Sequence, residues 1–199
     1  MILSFHTSIA DELPKVKADF SFFLLMAMLF LMRDVRTASG IVIVCGLHEL
    51  GHLAVMAVFR AKVRSIHFSG TGIRITAEKS GTEPLLQSVL ILLSGPAVNI
   101  ILYFLLREKV PDTAYLSLGA GLYNLLPYSQ LDGGAVLEVL ILGSGHEYAY
   151  RMAVRLIRLA LTALSAVMVY CCGSEYLPAF AALLLLYLND AAQHRKFDV

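Results

Sequence analysis

The chain has 199 residues, of which 58% are hydrophobic and 16% are charged, and its mean hydropathy is +0.72. An average soluble domain is about half apolar and a quarter charged, so this composition excludes an ordinary soluble protein and predicts an integral membrane protein. The net charge is +1 and the Lys and Arg residues form no basic stripe, which excludes nucleic acid as a partner.

Six apolar segments follow one another along the chain, and each predicts a membrane-spanning helix. The first could instead be the core of a signal peptide, because the small residues at 38–40 offer a cleavage site. The long leader before it and the further apolar segments after it favour a helix. The prediction is an all-α integral membrane protein that forms one domain over 1–199, with spans near 18–35, 39–59, 85–106, 113–127, 155–173 and 176–189.

Residues 63–79, between the second and third spans, have a different pattern. Ile66 and Phe68 alternate with polar residues, a Ser-Gly-Thr-Gly turn follows, and Ile73 and Ile75 resume the alternation. This pattern predicts a small β-hairpin. The edge of such a hairpin could bind an extended peptide as a further strand, and an equally good interpretation is that the hairpin only connects two helices.

The distribution of the 16 Lys and Arg residues predicts the orientation in the membrane. If both termini are cytoplasmic, twelve of these residues lie on the cytoplasmic side and four on the opposite side. Cytoplasmic loops carry an excess of Lys and Arg, so both termini are expected in the cytoplasm. The basic residues around Arg155 and Arg158 are expected to extend to the interface from one helical face.

The second span contains the H-E-x-x-H motif His48-Glu49-Leu50-Gly51-His52. On a helix the two histidines project from one face and can bind one zinc ion, and the glutamate between them is placed to take a proton from water that the metal activates. His48, Glu49 and His52 are costly to bury in an apolar span. Binding of one cation would compensate this cost, so a metal site is favoured over a chance occurrence of the motif.

A catalytic zinc needs a third protein ligand, and Asp132 is the second carboxylate within the apolar region. Pro127 is expected to end the fourth helix, and Gly133 with Gly134 lets the backbone turn, which places Asp132 on an irregular segment. Asp132 could also be the N-cap of a short helix over 135–142, and the two roles are compatible. Cys45 shares the helix face of His48 and is an alternative fourth ligand, although packing is the favoured interpretation.

Two asparagines accompany these residues. Asn124 lies eight residues before Asp132, and Asn99 ends the sequence Ser-Gly-Pro-Ala-Val-Asn in the third span. Either side chain could donate a hydrogen bond to an oxyanion, but a buried Asn more often joins two helices. The two roles are equally good for Asn124, and the structural role is favoured for Asn99.

Three motifs therefore occur in one order, HELGH, SGPAVN and NLLPYSQLDGG. Together they resemble the site-2 protease family of intramembrane zinc metalloproteases, peptidase M50, and the spacing of the third motif is most similar to the sporulation branch. The resemblance implies one Zn²⁺ per chain held by His48, His52 and Asp132, with Glu49 as catalytic base. It also implies cleavage of a membrane-protein substrate in or near a transmembrane helix, with the site toward the cytoplasmic side.

The sequence also departs from the family. Many members carry a PDZ or a CBS domain, and neither occurs before Val199, so a branch without these domains is expected. Two other functions stay open: a membrane metal transporter, which would use Glu49 as a further ligand, and an inactive scaffold that keeps zinc for stability. An intact Glu49 favours a zinc metalloendopeptidase that works in the lipid bilayer.

Overall fold

The computed structural model describes residues 14–70, 72–77, 84–141 and 147–195. Residue 71 and residues 78–79 of the predicted hairpin lie outside them. The described residues form seven α-helices, which are α1 (Phe20–Met32), α2 (Val35–Val58), α3 (Leu85–Leu106), α4 (Pro111–Asn124), α5 (Asp132–Ile141), α6 (Glu147–Cys172) and α7 (Leu177–Arg195). The strands are β1 (Lys15–Ala18), β2 (Val63–Ser69) and β3 (Gly72–Ala77).

Three of the described helices, α2, α3 and α6, are long and apolar enough to cross a membrane. The predicted all-helical membrane fold with a small hairpin is confirmed. Helices α1 and α4 have 13 and 14 residues. At about 1.5 Å per residue each is roughly 20 Å long, which is shorter than the roughly 30 Å hydrocarbon core.

Several predicted boundaries were wrong. Helix α4 ends at Asn124, three residues before Pro127, and not at 127. Helix α6 begins at Glu147, eight residues before the predicted start at 155. Charged and polar residues occur at the start of α6, so the apolar pattern begins only after the helix has begun. A helix can extend beyond its apolar stretch.

The connection between α1 and α2 has only two residues, Arg33 and Asp34. Asp34 caps α2, because its Oδ2 accepts a hydrogen bond from the Thr37 amide at 2.9 Å. The same hydrogen bond holds the pKa of Asp34 below its ordinary value, because it stabilises the carboxylate form. The cap satisfies one of the free amides at the helix start, so α2 can begin immediately after α1.

The hairpin is confirmed, and it belongs to a sheet of three strands in the order β1-β2-β3. Ile66 pairs with Ile75 and Phe68 pairs with Ile73 in antiparallel register, so these four side chains share one face of the sheet. The Phe68 ring lies 5.3 Å from that of Phe22 in α1, measured between ring centroids. Strand β1, which no sequence pattern predicted, pairs in parallel with β2.

Small residues let α2 and α3 approach closely. A Cβ atom on Gly51 of α2 would lie 2.9 Å from the Ser94 carbonyl oxygen and 2.8 Å from Val98 Cγ2, closer than ordinary van der Waals contact. Interfaces of small residues are the usual means by which membrane helices pack. Gly51 therefore fixes the distance between the two helices at the level of the H-E-x-x-H motif.

Helix α4 packs on α3 in the same way. A Cβ on Gly121 would lie 3.1 Å from the Cβ of Asn99, and Ser117 Oγ donates to the Asn99 carbonyl oxygen at 2.9 Å. Ser117 and Ala114 are fully buried. Helix α4, which is rich in small residues, thus packs against another helix of the bundle.

The prediction for Arg158 was wrong. Arg155 is exposed, as expected for a side chain that extends to the interface, whereas Arg158 is only 7% exposed and forms an ion pair with Asp190 of α7. The two arginines are three residues apart, but the second faces α7. A helical pattern shows which residues share a face but not which helix covers that face.

We predict that Gly51→Ala destabilises the chain by roughly 1–3 kcal/mol, because the added methyl group overpacks against the backbone of α3. The matched control is Gly46→Ala in the same helix, where an added Cβ has no atom within 4 Å. That variant is expected to be neutral or stabilising by up to about 1 kcal/mol, since Ala favours a helix over Gly. Thermal unfolding in detergent compares the two, and equal midpoints would contradict the close approach.

Candidate metal centre

Helix α2 presents two buried histidines one turn apart. The Nε2 atoms of His48 and His52 lie 3.2 Å from each other. Their exposed fractions are 6% and 8%. The i, i+4 spacing places both rings on the face that α2 turns toward α3, as the sequence predicts.

Asp132 completes the group from a distant part of the chain. Its Oδ2 lies 3.0 Å from His48 Nε2 and 3.4 Å from His52 Nε2. Zinc binds such nitrogen and oxygen atoms at about 2.0–2.2 Å in a tetrahedron, which separates neighbouring ligand atoms by about 3.3–3.6 Å. The three atoms form a triangle near this size, so the residues fit a zinc ion and could hold one.

The presentation of Asp132 depends on the two glycines after it. Asp132 is the first residue of α5, whereas an N-cap would be the residue before the helix. The alternative role of Asp132 as an N-cap was therefore wrong by one position. A Cβ on Gly133 would overlap the Leu125 carbonyl, and a Cβ on Gly134 would overlap the Tyr128 carbonyl. Only glycine lets the first turn of α5 lie against the segment that precedes it.

Helix α3 fixes the orientation of His52. Its Nδ1 donates to the Ile91 carbonyl oxygen at 2.7 Å, and that oxygen also accepts from Ser94 Oγ at 2.6 Å. A carbonyl can only accept, so Nδ1 of the neutral ring carries the hydrogen and Nε2 presents a lone pair. This arrangement, in which a histidine donates from one nitrogen and binds through the other, is the usual one for metal ligands.

Asn99 of α3 plays the corresponding part for His48. Its Nδ2 lies 3.1 Å from His48 Nδ1, and its buried Oδ1 has no hydrogen-bond partner among the described residues. When His48 uses Nε2 as a ligand, Nδ1 carries a hydrogen and needs an acceptor. Rotation of the amide by half a turn supplies one, because it brings Oδ1 to Nδ1. Asn99 therefore links α3 to a histidine of the site.

Gly95 was missed by the sequence analysis. It faces both rings, and a Cβ at this position would overlap His52 Nε2 and His48 Nε2. Gly95 belongs to the motif Ser-Gly-Pro-Ala-Val-Asn, in which only the asparagine was predicted to have a role. A glycine four residues before Asn99, on the same helix face, lets α3 approach the two histidines closely.

The remaining predicted residues lie outside the three-residue group. Glu49 is half-buried and follows His48 on α2, and Cys45 has an exposed side chain. Asn124 is the last residue of α4, and its Nδ2 donates to the Ala120 carbonyl of the same helix at 3.1 Å. The role of Asn124 as an oxyanion donor stays a prediction.

No family profile matches the chain. Two proteins of known sequence are similar to parts of it. Stage IV sporulation protein FB of Bacillus subtilis is 23% identical over 140 residues, which cover 65% of this chain and 49% of that protein. The protein named "Putative zinc metalloprotease sll0528" of Synechocystis is 32% identical over 107 residues, which cover 47% of this chain and 28% of that protein. The chain thus spans half or less of the length of these relatives.

One solved structure has the same architecture. The site-2 protease from Methanocaldococcus jannaschii superposes with a TM-score of 0.62 at 19% identity and covers 89% of both chains. This likeness extends over nearly all of the fold, although few residues are identical. The chain therefore has the fold of a site-2 protease, and its two sequence relatives support the assignment to the M50 family that the motifs indicated.

Proposed function

We propose that this protein is an intramembrane zinc metalloendopeptidase, which hydrolyses a peptide bond in or near a transmembrane segment of a membrane-protein substrate. The observation that carries the proposal is the triangle of Nε2, Nε2 and Oδ2 atoms described above, with sides of 3.0, 3.2 and 3.4 Å. The His52 nitrogen presents a lone pair and an ionised Asp132 has only acceptor atoms, so a cation between them satisfies both.

The proposed roles follow from this arrangement. His48, His52 and Asp132 hold one zinc ion, which when bound supplies a Lewis acid that acidifies water and polarises a carbonyl. Glu49 lies next to His48 but outside the ligand group, so its carboxylate is available as general base. It accepts a proton from the attacking water and donates one to the departing amine. Gly95 lets the backbone of α3 lie directly against the two ligand nitrogens, where a side chain would overlap them.

The surroundings of the group favour a substrate that comes from the bilayer. The two histidines lie on α2, and the groups that orient them, the Ile91 carbonyl and the Asn99 amide, lie on α3. Both helices are long and apolar enough to cross a membrane. A substrate helix hides its backbone in its own hydrogen bonds and must become extended before a carbonyl is accessible. Among the described strands, β3 lies at the edge of the sheet, and this edge is suited to hold such an extended segment by strand addition.

The orientation with both termini in the cytoplasm is also part of the proposal. Strand β1 precedes α1 and pairs with β2, which follows α2, so these two basic segments lie on the same side of the helices. Lys15 and Lys17 lie beside Ser65 and His67 in this pairing. Without the buried Arg158, eleven basic residues remain on the proposed cytoplasmic side and four on the other.

We predict that the purified chain binds about one zinc and that Glu49→Gln keeps this zinc but loses cleavage by at least roughly a hundredfold, because a proton acceptor is removed without loss of a ligand. Asp132→Ala should lose most of the zinc, because a third ligand is required. The measurements are elemental analysis and cleavage of a panel of single-span membrane proteins co-expressed with each variant.

The matched control is Asp112→Ala, which removes an exposed aspartate from the first turn of α4 and should change neither quantity. Loss of zinc in Glu49→Gln would make Glu49 a ligand and favour the transporter. Full zinc in a native chain that cleaves no substrate would favour the inactive scaffold. Cleavage by a metal-free preparation would contradict the proposal entirely.

We predict that the edge of β3 holds the substrate. Backbone amides of successive residues in a strand face opposite edges of that strand. Of the two variants Ile75→Pro and Arg74→Pro, one therefore removes a hydrogen-bond donor to β2, and the other removes a donor at the opposite edge of β3. Amide hydrogen exchange of the native chain shows which amide is protected. The variant that loses the donor at the opposite edge should lose cleavage by roughly tenfold, the value of one hydrogen bond, and keep its zinc. Unchanged cleavage in that variant would make the hairpin a mere connector.

We predict that alkaline phosphatase fused after Val199 is inactive and that the same enzyme inserted after Lys109, between α3 and α4, is active, because this reporter folds only outside the cytoplasm. Fluorescent protein fusions at both positions should give the inverse pattern. Alkaline phosphatase activity at Val199 would reverse the proposed orientation.

A further inference from the structure

We propose that a buried ion pair between α6 and α7, Arg158 with Asp190, positions the metal ligand Asp132 and thereby sets the affinity of the site for zinc. The inference rests on the proposed metal site but concerns an ion pair whose two residues belong to none of the three motifs. Neither α6 nor α7 contributes a residue to the group of His48, His52 and Asp132. Their part is to hold the segment that delivers Asp132.

The ion pair is deeply buried. Arg158 Nη1 lies 3.0 Å from Asp190 Oδ2, and the side chains are 9% and 4% exposed. Burial of two charges costs several kcal/mol per ion unless further hydrogen bonds satisfy the remaining donors and acceptors. Such a pair therefore forms in an apolar helix bundle only where other groups complete its hydrogen bonding.

The groups that complete it lie in one short stretch, Pro127 to Gln130, between α4 and α5. Arg158 Nε donates to the Pro127 carbonyl oxygen. The Asp190 carboxylate accepts from Ser129 Oγ and, at 3.0 Å, from Gln130 Nε2. The backbone amide of Ser129 also donates to Asp190, at 3.3 Å.

The remaining residue of the stretch, Tyr128, is held as well. Tyr128 is fully buried, and its hydroxyl lies 3.0 Å from Thr162 Oγ1 and 3.2 Å from the Arg158 carbonyl oxygen, both in α6. All four residues from Pro127 to Gln130 are thus bonded to α6 or α7. We call this set of contacts the C-terminal anchor.

The C-terminal anchor ends two residues before Asp132. The Leu131 amide donates to the Tyr128 carbonyl oxygen at 2.9 Å, and α5 begins at the next residue. The connection before Asp132, residues 125–131, has no regular structure, so the position of Asp132 depends on these contacts as well as on the packing of α5 against α3. A metal ligand must be held within about 0.5 Å of its productive position, so the contacts that fix this connection also fix the ligand.

The test is the zinc affinity of the full chain in detergent, measured by competition with a chelator. Arg158→Met and Asp190→Asn should each weaken zinc binding by about 10–100-fold, as loss of supporting contacts around a metal site does elsewhere. The matched control is Arg155→Met, which removes an exposed arginine one turn earlier in α6 and should leave the affinity unchanged. Arg158→Lys, which keeps the charge, should restore part of the affinity.

Two measurements separate positioning from stability alone. In the first, zinc affinity is measured below the temperature at which half of each metal-free variant unfolds. In the second, Co²⁺ replaces zinc, because the visible absorption of bound Co²⁺ reports its coordination number. Ser129→Ala removes one hydrogen bond but keeps the ion pair, so it covers the case in which the charge variants do not fold. It should weaken zinc binding and lower the cobalt absorption.

Unchanged zinc affinity and cobalt absorption in Ser129→Ala and Asp190→Asn, with only a lower unfolding midpoint, would overturn the inference and leave the pair as a structural contact. The proposed function fails in a different way, when the native chain binds no zinc or cleaves no substrate. Since affinity and cleavage are measured separately, the two failures are distinguishable.

Discussion

The fold depends on one constraint, which is that two imidazoles and a carboxylate are buried together among apolar helices. Burial of unpaired polar groups is expensive, so the surrounding residues must give each of them a defined partner. His52 has the Ile91 carbonyl and His48 has the Asn99 amide, while the three remaining ligand atoms face one another. A cation at this point would satisfy all three, and the helices are arranged so that these atoms converge.

The convergence requires close packing as well as hydrogen bonds. Glycines lie where the backbone of one element must approach another, namely Gly51 between α2 and α3, Gly95 in front of the histidines, and Gly133 with Gly134 under Asp132. A larger residue at any of these four positions would separate elements that each supply part of the site. The polar partners set the direction of the side chains, and the glycines set the distances between them.

The features that the sequence predicted are those that depend on neighbours in the chain. The pair His48 and His52 follows from helical spacing, and the hairpin follows from alternation and a glycine turn. The features that it missed join residues that are distant in the chain. The pairing of β1 with β2, the facing of Gly95 toward the histidines, and the ion pair of Arg158 with Asp190 all depend on which elements pack together, and a single-sequence pattern does not contain that information.

The three proposed ligands are held in different ways, and this difference explains why the contacts made by α6 and α7 matter for the site. His48 and His52 belong to one long helix, so their relative position is set by helix geometry and would survive changes elsewhere. Asp132 has no such support, because it follows an irregular connection and reaches the histidines only through the packing around it. A site of this kind is as well organised as its least constrained ligand. The burial of two charges at Arg158 and Asp190 is then understandable, because an apolar contact could fill the same space but could not fix the connection through directed hydrogen bonds.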